Sequence, residues 1–139
     1  MSSVMLIAAD KPLPLADCQE MRVYRKSGVS IALEAGFAVW EPVYYRKAVD
    51  DLGFAIKPFQ YELSVENRET DWHALLRYLR DNLSPGESVE LWSLWVGNGP
   101  GILRRYRGSL ADFDMEAFGQ LFEGDNLLEN GQTCLTVTA

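Results

Sequence analysis

His73 is the only histidine in the 139-residue chain, so any imidazole chemistry must pass through it. It falls on the polar side of an expected helix with Arg77 one turn later, and a histidine beside a cation is not an acid–base pair. A histidine-rich metal site is excluded within one chain. No cysteine or carboxylate spacing matches a ligand set either, so neither metal nor cofactor is expected. Cys18 lies in Asp17-Cys18-Gln19-Glu20, acidic surroundings that quieten a thiol nucleophile. Cys134 falls within an alternating strand and reads as a small apolar side chain. No G-x-S-x-G elbow is present, so hydrolase chemistry has no signature. The pairs Asp50-Asp51 and Asp112/Asp114 can in principle hold Mg²⁺ or move protons. Asp112 and Asp114 have a simpler role at the start of a helix, where the dipole favours acids.

Gly97-Asn98-Gly99-Pro100-Gly101 has the composition of a phosphate cradle, in which exposed backbone donors surround an anion. The helix that must follow such a loop is missing, and so is a G-K-[ST] ending, so the segment reads as a hairpin turn. Beyond it Arg104, Arg105 and Arg107 crowd one strand. At period two Arg105 and Arg107 share a face and Arg104 lies opposite. Such a strand is either an edge guarded by charge or a site for a small anion or an acidic partner. Aromatic residues are abundant, with four Trp, six Tyr and six Phe. Trp92 and Trp95 occupy opposite faces of one strand, while Trp72 sits on a helix stripe and belongs to the core. Trp, Tyr and Arg together dominate interface hot spots. Tyr106 with Arg104 and Arg105 is the only patch that resembles a base-stacking surface, and the net charge opposes that use. The candidate binding residues are therefore Trp92, Trp95, Arg104, Arg105, Tyr106 and Arg107.

These residues must be positioned by regular elements. Val4 to Ala9 is continuously apolar and predicts a short strand buried on both faces, ended by Asp10-Lys11-Pro12-Leu13-Pro14. Met21 to Arg25 and Val29 to Leu33 alternate around Lys26-Ser27-Gly28 and predict a hairpin. Glu41-Pro42 opens a helix whose stripe is Tyr45, Ala48, Val49 and Leu52, with Gly53 as its stop. Phe59, Tyr61, Leu63 and Val65 alternate with polar residues as a strand. A helix over 70–83 follows, with Thr70 as its cap and Trp72, Leu75, Leu76, Leu79 and Leu83 as its buried stripe. Val89 to Val96 is apolar on both faces, which marks a central strand or one whose outer face meets another body. Ile102 to Arg107 is expected to return as its antiparallel partner. A third helix spans 109–123 with Ser109 and Asp112 as a weak capping pair, and Asn130-Gly131 turns the chain into a last strand, 133–138.

Residues 59–138 thus run strand, helix, strand, strand, helix, strand, the ferredoxin-like βαββαβ order with both helices on one sheet face. The fold class is α+β: a single-layer, mostly antiparallel sheet with helices packed on it. It forms one domain over 1–139, in which an N-terminal hairpin and helix (1–57) extend the sheet or cover its edge beside the ferredoxin-like half (58–139).

Composition bounds the function. Thirteen Lys and Arg against twenty Asp and Glu give a net charge of −7, unsuited to a general nucleic-acid binder. The imbalance is local. Residues 1–60 carry seven charges of each sign, and 61–139 carry six cations against thirteen anions. No segment approaches the roughly 20 apolar residues of a membrane span, and the N-terminus lacks the basic start of a secretory signal. With two unpaired cysteines, a cytoplasmic protein is expected. The absence of catalytic constellations points to a non-enzymatic protein-interaction module. It would bind a protein partner or form a homodimer, and an immunity- or antitoxin-like role suits its acidity. The alternative is a small-molecule or anion-binding domain, or a small enzyme, with its pocket near the 97–107 hairpin.

Overall fold

The computed structural model describes residues 2–41, 46–97, 101–126 and 131–139. Its nine strands are β1 (Ser2–Ala9), β2 (Ala16–Asp17), β3 (Glu20–Lys26), β4 (Val29–Ala35), β5 (Ala38–Trp40), β6 (Phe59–Ser64), β7 (Ser88–Val96), β8 (Ile102–Ser109) and β9 (Gly131–Thr138). The α-helices are α1 (Arg46–Asp50), α2 (Glu69–Asn82) and α3 (Met115–Gly119), with 3₁₀ turns at Leu110–Asp112 and Gln120–Asn126. Seven strands form one sheet in the order β2-β5-β6-β1-β7-β9-β8, and β3 and β4 pair only with each other. All neighbours are antiparallel except β8 and β9. The fold is therefore α+β with a mostly antiparallel sheet, as composition and periodicity predict.

The chain order strand–helix–strand–strand–helix–strand is present in β6 to β9, but the sheet order is not that of a ferredoxin-like layer. β1 lies between β6 and β7 and pairs antiparallel with both, with Leu6 opposite Glu62 on one side and Trp92 on the other. β6 and β7 thus run parallel across it, joined by α2 as a crossover. The two-sided burial of Val4 to Ala9 already implied a central strand; which strands flank it depends on long-range pairing that periodicity does not encode. The expected β7–β8 hairpin is also not formed. β1 and β9 occupy the two edges of β7, so β8 passes beyond β9 and pairs with it in parallel, Arg104 opposite Thr133 and Tyr106 opposite Leu135. Residues 97–101 therefore connect strands two positions apart in the sheet; residues 98–100, expected as a hairpin turn, lie outside the described ones, as do Asn130 and residues 42–45 of the expected first helix.

Two apolar layers cover the sheet. On one face Ile7, Val39, Leu63, Leu91 and Leu135 meet Leu75, Leu76 and Leu79 of α2 and Phe113, Phe118 and Leu121 of the third helical segment. On the other, Leu6, Trp92, Leu94 and Cys134 meet Val49 of α1 and Leu52 just past its end, with Phe54 and Ile56. The third helical segment is broken rather than continuous. Ser109 caps the first turn by accepting from the Asp112 amide at 3.2 Å, and Asp114 starts α3 anew by accepting from the Ala117 amide at 2.9 Å. Thr70 does not cap α2. Its N-cap is Arg68, whose guanidinium has only donors and so makes no side-chain cap bond.

Candidate functional site

The β3–β4 hairpin stands apart from the main sheet as an arm. Its two-residue turn places Ser27 at φ 53° and Gly28 at φ 78°, the left-handed pair that a type I′ turn requires, which keeps Lys26 opposite Val29. Every residue from Arg25 to Glu34 is exposed. Met21 and Val23 lie on one face of the ribbon; Val29, Ile31 and Leu33 lie on the other. All five are 52–65 % exposed.

The arm is tied down at its base. Arg22 is 7 % exposed and its guanidinium meets Asp71, 2 % exposed, through Nη2 and through Nη1 at 3.3 Å. Nη1 also donates to Glu66, which accepts from the Tyr24 hydroxyl and pairs with Arg68 at 3.2 Å. Asp71 further accepts from the Glu66 amide at 2.6 Å. The bond to Asp71 holds the Arg22 guanidinium above its already high ordinary value, against the opposing effect of burial, so its charge is permanent. Glu66 raises the Tyr24 hydroxyl in the same way, by accepting its proton in a hydrogen bond. Gly36, at φ 133°, makes room for this cluster: a Cβ there would meet Arg22 Nη2 at 3.3 Å. Sequence reasoning missed the cluster. Asp71 has the signature of a helix-dipole acid, and only its neighbour across the fold reveals an ion pair.

The sequence-predicted residues do not converge on one patch. Trp92 is fully buried; Phe54 stacks on it at 5.8 Å, the Arg105 guanidinium lies 5.7 Å from its ring, and its Nε1 donates to Glu90 at 3.3 Å. Trp95 is half-buried on the opposite face, its backbone amide donating to Gln132 and its carbonyl accepting from the same side chain, at 2.7 and 2.8 Å. Arg105 and Arg107 are exposed on the Trp92 face. Arg104 and Tyr106, both half-buried, face the helices, and the Tyr106 hydroxyl donates to Glu123 at 2.7 Å. That bond raises the Tyr106 hydroxyl, with a smaller opposing effect from Arg104.

Clefts are present among the described residues. One of about 350 Å³ runs between α2 and the Leu110–Asp114 turn, and one of about 250 Å³ lies beside Lys11 and Glu87; neither touches β8. His73 is exposed, 3.9 Å from Glu69 on the same helix. Among the described residues no group of three or more His, Cys, Asp or Glu side chains is placed to hold a metal ion, and no helix is long and apolar enough to cross a membrane. Comparison with protein-family models, with curated proteins and with solved structures finds no match.

Proposed function

We propose that this chain is a non-enzymatic interaction module that associates with a second copy of itself through the β3–β4 arm. The observation that carries the reading is the arm's exposed apolar content, spread over both faces of a two-stranded ribbon. A lone hairpin is marginally stable in water, and large apolar side chains grouped on such an element favour being covered. The anchoring of Arg22 supports the same reading, because it holds the ribbon in one position and lowers the ordering cost of association. Charge favours a second copy as the occupant. Arg25 and Lys26 at the tip have no ion-pair partner among the described residues, while residues 61–139 carry the whole net charge of −7. An arm reaching across to another copy brings a basic tip to an acidic body.

Sedimentation velocity across a concentration series tests this. The wild-type chain is expected to self-associate, Val23→Lys with Ile31→Lys to shift it to monomer, and Arg25→Glu with Lys26→Glu to weaken it most at low salt. All four positions are exposed, so an unchanged thermal transition of the dissociated variants confirms that the fold is intact. A wild-type chain that stays monomeric at every concentration, or variants that associate as tightly as wild type, overturns the reading.

A further inference from the structure

We infer that Arg104 and Thr133 form a binding slot for a small oxyanion, a carboxylate or phosphate group, on the helix-covered face of β8 and β9. The inference does not depend on the arm. Arg104 lies directly opposite Thr133, and Thr133 directly opposite Ser93, so a row of three polar side chains crosses the end of an otherwise apolar face. Ser93 and Thr133 are 7 % and 1 % exposed.

Among the described residues the only buried side-chain polar atoms without a hydrogen-bond partner are Arg104 Nε, Arg104 Nη2 and Thr133 Oγ1. They belong to adjacent strands at the same register position, where backbones run about 4.8 Å apart. The two arginine atoms are not an arbitrary pair. Nε–H and one terminal N–H₂ make one edge of the planar guanidinium, a fork that matches two oxygens of a carboxylate or phosphate. The hydroxyl adds a third donor. Arg22, which is buried, shows the ordinary arrangement, with its donors spent on Asp71 and Glu66.

Among the described residues no acid forms an ion pair with Arg104. Glu123 accepts from the Tyr106 hydroxyl two residues along β8, and it makes no ion pair with Arg104. A guanidinium edge buried without an acceptor is destabilising, because the donors give up their water and gain nothing in return. Unpartnered donors of this kind call for a bound acceptor or ordered ion.

The test titrates the full chain with inorganic phosphate and, separately, with acetate, at ionic strength matched with sodium chloride. The readouts are the Arg104 Nε–H resonance and the thermal transition. A saturable shift of that resonance, with a raised transition, is expected for at least one anion. Preference for phosphate marks a phosphorylated ligand and preference for acetate a carboxylate. Arg104→Lys keeps the charge and loses the fork, and should weaken binding at least about tenfold; Thr133→Val should weaken it about fivefold. Thr133→Val also guards against a folding artefact. Without added anion it should be at least as stable as wild type, because it removes an unpartnered hydroxyl. No saturable response to either anion, an undiminished response in Arg104→Lys, or a Thr133→Val variant less stable than wild type without anion overturns the inference.

Discussion

Replacing Asp71 with Asn tests whether the arm is held by a buried ion pair. The carboxylate is 2 % exposed and accepts from two Arg22 nitrogens, from the Glu66 amide and from the Thr70 hydroxyl. The amide keeps nearly the same shape and one acceptor oxygen, so what it removes is the charge opposite a buried guanidinium. Removing one partner of a buried pair typically costs about 3–5 kcal/mol, because the other charge is left without its counterion. Glu66 still faces Arg22 but is one-third exposed, which places the loss near the lower bound, about 3 kcal/mol. For a chain of this size that is a fall of roughly 10 °C in Tm. Urea denaturation followed by tryptophan fluorescence measures the loss. A cycle with Arg22→Met isolates the coupling, expected at about 1.5–3 kcal/mol. Hydrogen exchange should show the amides of β3 and β4 losing protection before those of the main sheet. A loss below about 1 kcal/mol, or an additive cycle, refutes the argument that this pair anchors the arm.

Trp92→Ala should cost about 3–5 kcal/mol in the same denaturation assay, since the ring is fully buried under Phe54, whereas a docking residue at the surface would leave stability unchanged. The Lys11 ammonium, and then the Ser84 amide, hold the Glu87 carboxyl below its ordinary value. A depressed folded-state value means that its contribution is complete above the ordinary carboxylate range and is lost as pH falls through the lowered value. Lys11→Met should therefore flatten the acid limb of the stability–pH curve, and an unaltered limb contradicts the pairing. Burial pushes the Cys134 thiol up to about 11, with Glu90 adding to it, while Cys18 is exposed. A thiol-specific disulfide reagent near pH 8 should titrate one cysteine in the native protein and both in denaturant; two fast native equivalents contradict that burial.

Much of the fold is legible from local pattern. The continuous apolar run at Val4–Ala9, the two-faced run at Val89–Val96 and the alternation on either side of Ser27-Gly28 predict the central strands and the hairpin, because side-chain period reports how many faces are covered. The stripes of α2 and of the segment after Ser109 predict which residues turn inward, with Leu75, Leu79, Phe118 and Leu121 all buried. β2 and β5 are two and three residues long, too short to show a period. The break at Asp114 was masked because an acid early in a helix and an acid capping a second one look alike in sequence.

The candidate site was less legible. Trp92 and Arg105 do lie together, but as a core ring with a cation over it, and Arg104 lies on the opposite face. The exposed arm belongs to the same alternation that predicts a half-buried hairpin, since periodicity places side chains on faces without saying what covers each face. Sequence by itself determined the α+β class, the location of the charge in residues 61–139, the presence of a single histidine and the parity that separates Arg104 from Arg105 and Arg107. Tertiary structure decided the rest. It inserted β1 between β6 and β7, put β9 between β7 and β8, paired Arg22 with Asp71 across 49 positions, and set Arg104 against Thr133. Those are contacts between residues far apart in the chain. Long-range strand pairing, which leaves no periodic trace in sequence, is what brings them together.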